Sequence, residues 1–139
     1  MASEIQSGNM TFIDSTGEEI PEIKDSGDRQ EFPTGSQRDI RTGKGRFDLL
    51  PWNIIEADAK FIEMGAGKYG ERNWEKGQPL SRYMDSALRH LTKHMMGYRD
   101  EPHLLASRWN IAAYLWTAAA IAQGVLPKEL DDVGEVKVG

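Results

Sequence analysis

Cysteine is absent from all 139 residues. That excludes disulfides, zinc–thiolate sites and thiol nucleophiles, so any metal or catalytic chemistry must come from oxygen and imidazole groups. A basic surplus is lacking too. Lys and Arg number 17 against 22 Asp and Glu, a formal net charge of −5, whereas proteins that follow duplex nucleic acid carry a basic stripe or excess. An acidic chain can still hold a phosphorylated small molecule through a local group of cations. There is no long hydrophobic run either. The longest apolar stretch, 111–125, is broken by Thr117 and Gln123 and falls short of the roughly 20 residues of a membrane span. The N-terminus shows neither the charged nor the apolar region of a secretory signal. These absences predict a cytoplasmic protein with no membrane and no nucleic-acid partner.

What is present divides the chain into three. Residues 1–37 are rich in Ser, Gly, Asp, Glu and Thr. Too little apolar surface is available there to offset the entropy of ordering, which predicts a disordered or extended arm. Residues 38–125 carry helical periodicity, and their length suits a single core. Residues 126–139 form a short charged tail, read as an exchanged arm or a surface turn.

Arg38, Arg41, Lys44 and Arg46 interleave with Gly43 and Gly45, a flexible basic loop without the spacing of a P-loop. A first helix is expected from Pro51, which suits a first helical turn, to Gly65, with Ile54, Ala57, Phe61 and Met64 at helical spacing. Asp58 lies either at the edge of that stripe or buried as a ligand. From Gly65 to Gly77 the periodicity is lost and four glycines intervene, so a loop is expected. Its Lys68, Tyr69, Arg72, Asn73 and Trp74 suit a nucleotide, with cations for phosphate, rings for stacking and an amide for a base edge. The plainer reading is an interhelical loop with Trp74 packed on the core.

A second helix is expected from Ser81 to Gly97. Leu80, Tyr83, Met84, Ala87, Leu88, Leu91 and Met95 form its apolar arc, opposite Arg82, Asp85, Ser86, Arg89 and Lys93. A third, His103 to Gln123, is apolar almost all round, which predicts a buried central helix. Its exception is a polar stripe, His103, Ser107, Asn110, Tyr114 and Thr117, which must be satisfied by a hydrogen-bonded seam or by a ligand.

All three histidines, His90, His94 and His103, fall close to Asp100 and Glu101, and Asp85 precedes Arg89 by one turn. Carboxylates and imidazoles without thiolate suit Mg²⁺ or Mn²⁺, less often zinc. The H-E-x-x-H, His-Asp and G-x-S-x-G patterns are all absent. The chemistry best matched is metal-assisted attack of water on a phosphoanhydride, with cations neutralising the developing charge.

Gly43–Pro51, Gly65-Ala66-Gly67-Lys68-Tyr69-Gly70, Arg72-Asn73-Trp74-Glu75-Lys76-Gly77 and Ser81-Arg82-Tyr83 occur in that order. They are followed by Asp85–His90, Asp100-Glu101-Pro102-His103 and Trp109-Asn110. This ordered set resembles the dATP/dGTP diphosphohydrolase N-terminal domain family of tailed bacteriophages, itself distantly similar to MazG-like nucleotide pyrophosphohydrolases. The resemblance implies an all-α, MazG-like helical bundle packed across subunits in a homo-oligomer. It also implies hydrolysis of purine deoxynucleoside triphosphates, dGTP or dATP, to the monophosphate and pyrophosphate with Mg²⁺ or Mn²⁺, in the cytoplasm of a phage host. By the same resemblance Asp85, His90, Glu101, His103 and Asn110 are catalytic, with Asp85, Asp100, Glu101 and His103 as metal ligands. Lys44, Arg46, Lys68, Tyr69, Asn73, Trp74, Arg82 and Arg89 would bind phosphate and base. The chain departs from the MazG-like pattern in lacking paired E-x-x-E and E-x-x-D ligands, since Ala59 follows Glu56 and Ala106 follows His103. Pro102 also stands where an acidic residue is associated with the turn. These departures leave a second reading, a catalytically inactive nucleotide-binding or assembly module of the same fold.

Overall fold

Two short antiparallel ladders open the chain. In the computed structural model, which describes residues 12–13, 15–17, 19–21, 23–134, 137 and 139, β1 (Phe12–Ile13) pairs with β2 (Glu19–Ile20). β3 (Arg29–Glu31) then pairs with β4 (Gln37–Asp39). The arm expected over 1–37 falls partly outside the described residues. Where it is described without a break, from residue 23, it leads into the β3–β4 hairpin. The chain forms two compact units, Met1–Asp48 and Leu49–Gly139, so the division drawn at 37/38 falls inside β4.

No residue from 23 to 48 is buried. The order of this segment comes from polar ties around Asp39, which accepts from the Ser26 backbone and hydroxyl and from Lys44 Nζ at 2.6 Å. Arg29 clasps Asp25 through both terminal nitrogens at 2.7 Å. A carboxylate facing several donors is held in its charged form, and the Lys44 ammonium and the Ser26 hydroxyl keep Asp39 well below the usual carboxylate range.

The second unit is helical: α1 (Trp52–Tyr69), α2 (Leu80–Met95) and α3 (His103–Ala122). No helix among the described residues is long and apolar enough to cross a membrane. α1 runs four residues past its expected end and absorbs Gly65 and Gly67. An interior glycine costs a helix only about 1 kcal/mol, so it weakens the element without ending it. The stop comes at Gly70, whose φ of 90° leaves helical space. The remainder of the expected loop is shortened further by a 3-10 turn at Asn73–Lys76.

α2 ends as its glycine suggests. Gly97 takes φ 94°, its N–H bonds the His94 carbonyl, and Tyr98 N–H reaches back to Lys93, which satisfies carbonyls that the helix end would orphan. The same pair of bonds recurs after α3 at Gly124 and Val125. Contacts then run in opposite order along α2 and α3: His90 meets His103, Ala87 meets Ser107, and Leu80 and Tyr83 pack on Ala113. The two helices are therefore antiparallel neighbours. α1 is tied to α3 by Arg108, whose Nε lies 2.9 and 3.1 Å from the Asp58 carboxylate. Asp58 is thus an edge residue rather than a buried ligand.

Two expectations need correction. α3 is buried on one face only, with Leu104, Ile111 and Leu115 exposed. On α2 the buried line is Leu80, Tyr83, Ala87 and His90, while Leu88, Leu91 and Met95 from the expected apolar arc face outward. The α2 periodicity was sound, but the packed face turns toward His90. From Leu126 to Asp132 the tail packs back on the second unit. Leu126 and Leu130 lie against Gly77, and the Asp132 carboxylate accepts from the Ser81 backbone N–H at 2.9 Å and from its hydroxyl.

Candidate active site

A cleft of about 780 Å³ opens among the three helices of the second unit. The C-terminal half of α1 brings Lys68 and Tyr69 to it, and the following turn brings Arg72, Asn73 and Trp74. α2 contributes Arg82, Tyr83, Ser86, Arg89 and His90, spaced along one face, while α3 and the turn before it add Glu101, Trp109 and Asn110. Four cations and a single carboxylate therefore line one cleft of a chain whose net charge is −5. Among the described residues Arg82 and Arg89 have no carboxylate partner, and Arg89 bonds only the Ser86 hydroxyl at 3.2 Å. Arg72 is held by Glu75 at 3.4 Å. It also sits in the left-handed region at φ 55°, a conformation that costs a non-glycine residue about 1–2 kcal/mol.

Beside the cleft, whose wall includes His90, lies a pair of buried histidines. His90 and His103 are 8 % and 2 % exposed, and their Nδ1 atoms stand 2.9 Å apart. His103 Nε2 is 2.9 Å from the Asp100 carboxylate. A carboxylate only accepts, so His103 Nε2 carries the proton and donates it. That bond holds Asp100 below its usual range. His90 titrates below the ordinary imidazole value because burial disfavours its charged form, with the neighbouring Arg89 cation adding to the effect. Ligand atoms from His90, Glu101 and His103 all lie within 4.8 Å of one another, close enough to share one cation.

Of the residues expected from sequence, the structure gathers Lys68, Tyr69, Asn73, Trp74, Arg82, Arg89, His90, Glu101 and Asn110 on the cleft, and His103 in the cluster beside it. Asp85 is exposed on α2 and belongs to neither the cleft lining nor the cluster. Asp100 contacts His103 rather than joining the ligand atoms. Lys44 and Arg46 belong to the first unit, where Asp39 and Asp48 pair with them at 2.6 and 2.8 Å. Trp74 is half-buried and packs edge-on against Trp109 and Trp116, with ring centroids at 5.9 and 4.8 Å, and Trp109 in turn lies against the core, so Trp74 both packs inward and lines the cleft. Tyr69 keeps its ring exposed, with Lys68 Nζ 4.9 Å from the centroid.

The polar stripe of α3 resolves three ways. Ser107 Oγ donates to the Ala87 carbonyl at 2.9 Å, a seam between helices. Asn110 Nδ2 donates to the Ala106 carbonyl one turn back, and His103 belongs to the cluster. Sequence reasoning passed over Gln78, Tyr83 and Trp109 as cleft residues. Tyr83 and Trp109 carry the signature of core residues, and nothing in their spacing marks a second role. Arg72, a loop cation suited to phosphate but absent from the residues the resemblance implies, also lines the cleft.

No curated protein and no solved structure matches the chain. The family model for dATP/dGTP diphosphohydrolase, N-terminal, matches residues 34–125, which takes in the basic loop, all three helices and every residue of the cleft. The chain belongs to the dATP/dGTP diphosphohydrolase N-terminal family.

Proposed function

We propose that this protein hydrolyses purine deoxynucleoside triphosphates to the monophosphate and pyrophosphate, as its family's name suggests. The observation that carries the reading is the charge of the cleft. Lys68, Arg72, Arg82 and Arg89 converge on it against the single carboxylate of Glu101. A triphosphate supplies the negative charge they lack, and Arg presents paired donors suited to phosphate oxygens. The exposed Tyr69 ring offers a face for a purine, and Asn73, Gln78 and Asn110 offer amide donors and acceptors to its edge. Lys44 and Arg46 are already ion-paired, and the cleft carries its positive charge without them.

Hydrolysis then asks three things of these residues. The arginines hold the phosphate chain in one geometry and neutralise the charge that builds on the leaving pyrophosphate. Glu101 and His90 both line the cleft, where a water can be oriented. A divalent cation held by the histidine–glutamate cluster would polarise the phosphate and lower the pKa of bound water. Mg²⁺ and Mn²⁺ are the ions the resemblance implies.

We further propose that the working form is a homo-oligomer. Leu104, Ile111 and Leu115 fall along one stripe of α3 and remain exposed, as do Leu88 and Met95 of α2. A run of large apolar side chains in water marks an interaction surface.

Product analysis tests the activity. With dGTP or dATP and Mn²⁺, chromatography should show the monophosphate and pyrophosphate. A diphosphate with inorganic phosphate would contradict the proposed bond cleavage. Having only one carboxylate in the cluster favours the second reading, a binding module without turnover. Tight nucleotide binding with no product under any metal condition would establish that reading instead.

A further inference from the structure

We propose that His90, Glu101 and His103 form a three-ligand site selective for a transition-metal ion over Mg²⁺, with Asp100 as the positioning residue behind His103. This deepens the hydrolase reading of the same cleft, but metal binding can be read without turnover. The resemblance places Asp85 and Asp100 among oxygen ligands. The structure instead sets two imidazoles and one carboxylate within reach of a common point. Mg²⁺ takes hard oxygen donors in near-octahedral geometry and keeps several waters, whereas imidazole donors suit Zn²⁺, Fe²⁺, Ni²⁺ and Cu²⁺, with affinity for such a site rising from Mn²⁺ through Co²⁺.

The second observation is the arrangement behind His103. A metal-bound histidine nearly always donates its other ring N–H to a carboxylate or carbonyl, which fixes the tautomer and raises the basicity of the ligating nitrogen. Asp100 makes that contact, 2.9 Å from His103 Nε2. With Nε2 engaged by Asp100, the nitrogen of His103 left to meet a metal is Nδ1, the atom directed at His90. Two buried ring nitrogens at 2.9 Å must share one hydrogen bond or a cation. Nitrogens on one tetrahedral ion at the usual 2.0–2.1 Å bond length stand about 3.4 Å apart, so the rings need part by only a few tenths of an ångström. Three protein ligands leave a coordination position open, as catalytic rather than structural sites do. His90 and Glu101 both line the cleft, so the open position belongs to the space where the phosphates would lie.

The test is direct metal binding by the full chain after chelator treatment. Co²⁺ is followed by its visible absorption, and Mn²⁺ and Mg²⁺ by equilibrium dialysis. The parent should bind one Co²⁺ per chain at least tenfold more tightly than Mg²⁺, with Mn²⁺ between the two. Replacing the buried His103 risks the fold, so the variants are Glu101→Gln and Asp100→Asn, both at exposed side chains. Glu101→Gln should weaken Co²⁺ binding at least tenfold. Asp100→Asn should weaken it by about tenfold and shift the Co²⁺ spectrum, which a merely structural aspartate would not do. Equal affinity for Mg²⁺, or parent-like binding by Glu101→Gln, overturns the proposal and leaves the histidine pair a structural hydrogen bond. Selective binding without nucleotide turnover would uphold this site while contradicting the hydrolase reading. Turnover in Mg²⁺ alone, without selective binding, would do the reverse.

Discussion

Ser107 and Thr117 are both buried on the packed face of α3, yet their hydroxyls fare differently. Ser107 donates to the Ala87 carbonyl, whereas Thr117 Oγ1 has no partner among the described residues. Removing a satisfied buried hydroxyl costs about 1 kcal/mol, while removing an unsatisfied one without changing shape is close to neutral or favourable. Ser107→Ala should therefore lower the unfolding free energy by about 1 kcal/mol, and Thr117→Val should leave it unchanged or raise it, in urea titrations followed by circular dichroism. A destabilised Thr117→Val would mean that this hydroxyl is paired in solution. Both residues stood out in the sequence as polar positions on an apolar helix. Which of them found a partner was not legible, because the Ala87 carbonyl comes from another helix and enters no local pattern. The same holds for His90 and His103, thirteen residues apart, whose contact exists only because α2 and α3 run antiparallel.

Glycines mark the ends of the elements, and the structure separates those that matter from those that do not. Gly77 has φ 82°, and a Cβ there would lie 2.8 Å from Leu130 and 2.9 Å from Leu126. Gly67 lies inside α1 with open space where its Cβ would be. Gly77→Ala should destabilise by about 1–3 kcal/mol, and Gly67→Ala should stabilise by about 1 kcal/mol, both read as shifts of the urea midpoint. Equal effects at the two sites would contradict the described packing of the tail. That tail also ties down the start of α2 through Asp132, whose bonds from Ser81 hold its carboxyl below the ordinary carboxylate value. A lowered folded-state pKa contributes stability that is complete above the unfolded value of about 3.9 and is lost as pH falls through the folded value. The parent should thus be more stable than Asp132→Ala at neutral pH, and the difference should vanish at strongly acid pH. Helix existence and order were legible from periodicity. The far end of α1 was not, since Gly65 and Gly67 resemble a stop and only the φ of Gly70 supplies one.

At the scale of the whole molecule, α3 was expected to be central because it is apolar all round. In the single chain only one face is covered. Leu115 is 62 % exposed and Met95 of α2 78 %, and the largest fully buried side chains are His103 and Thr117 rather than aliphatics. Association would reconcile the composition of α3 with its exposure. Light scattering after gel filtration should find a mass above the 15.6 kDa of one chain, and Leu115→Glu should lower it. A monomeric parent would contradict the proposed oligomer. Most of the cleft lining was legible, because Lys68 and Asn73 stand in the expected polar loop and Arg82 and Arg89 on the polar arc of α2, positions that folding brings to one cleft. What composition could not reveal is that Asp85 stays outside the cluster while Asp100 lies within hydrogen-bond distance of His103. The central claim is that this cationic cleft holds and cleaves a nucleoside triphosphate, and the most direct measurement is pyrophosphate release by the parent and by Arg82→Ala, a change at an exposed side chain. The account predicts metal-dependent release from dGTP or dATP by the parent and a loss of at least tenfold in kcat/KM in the variant, at unchanged thermal stability. Release that is equal in the two proteins would contradict it.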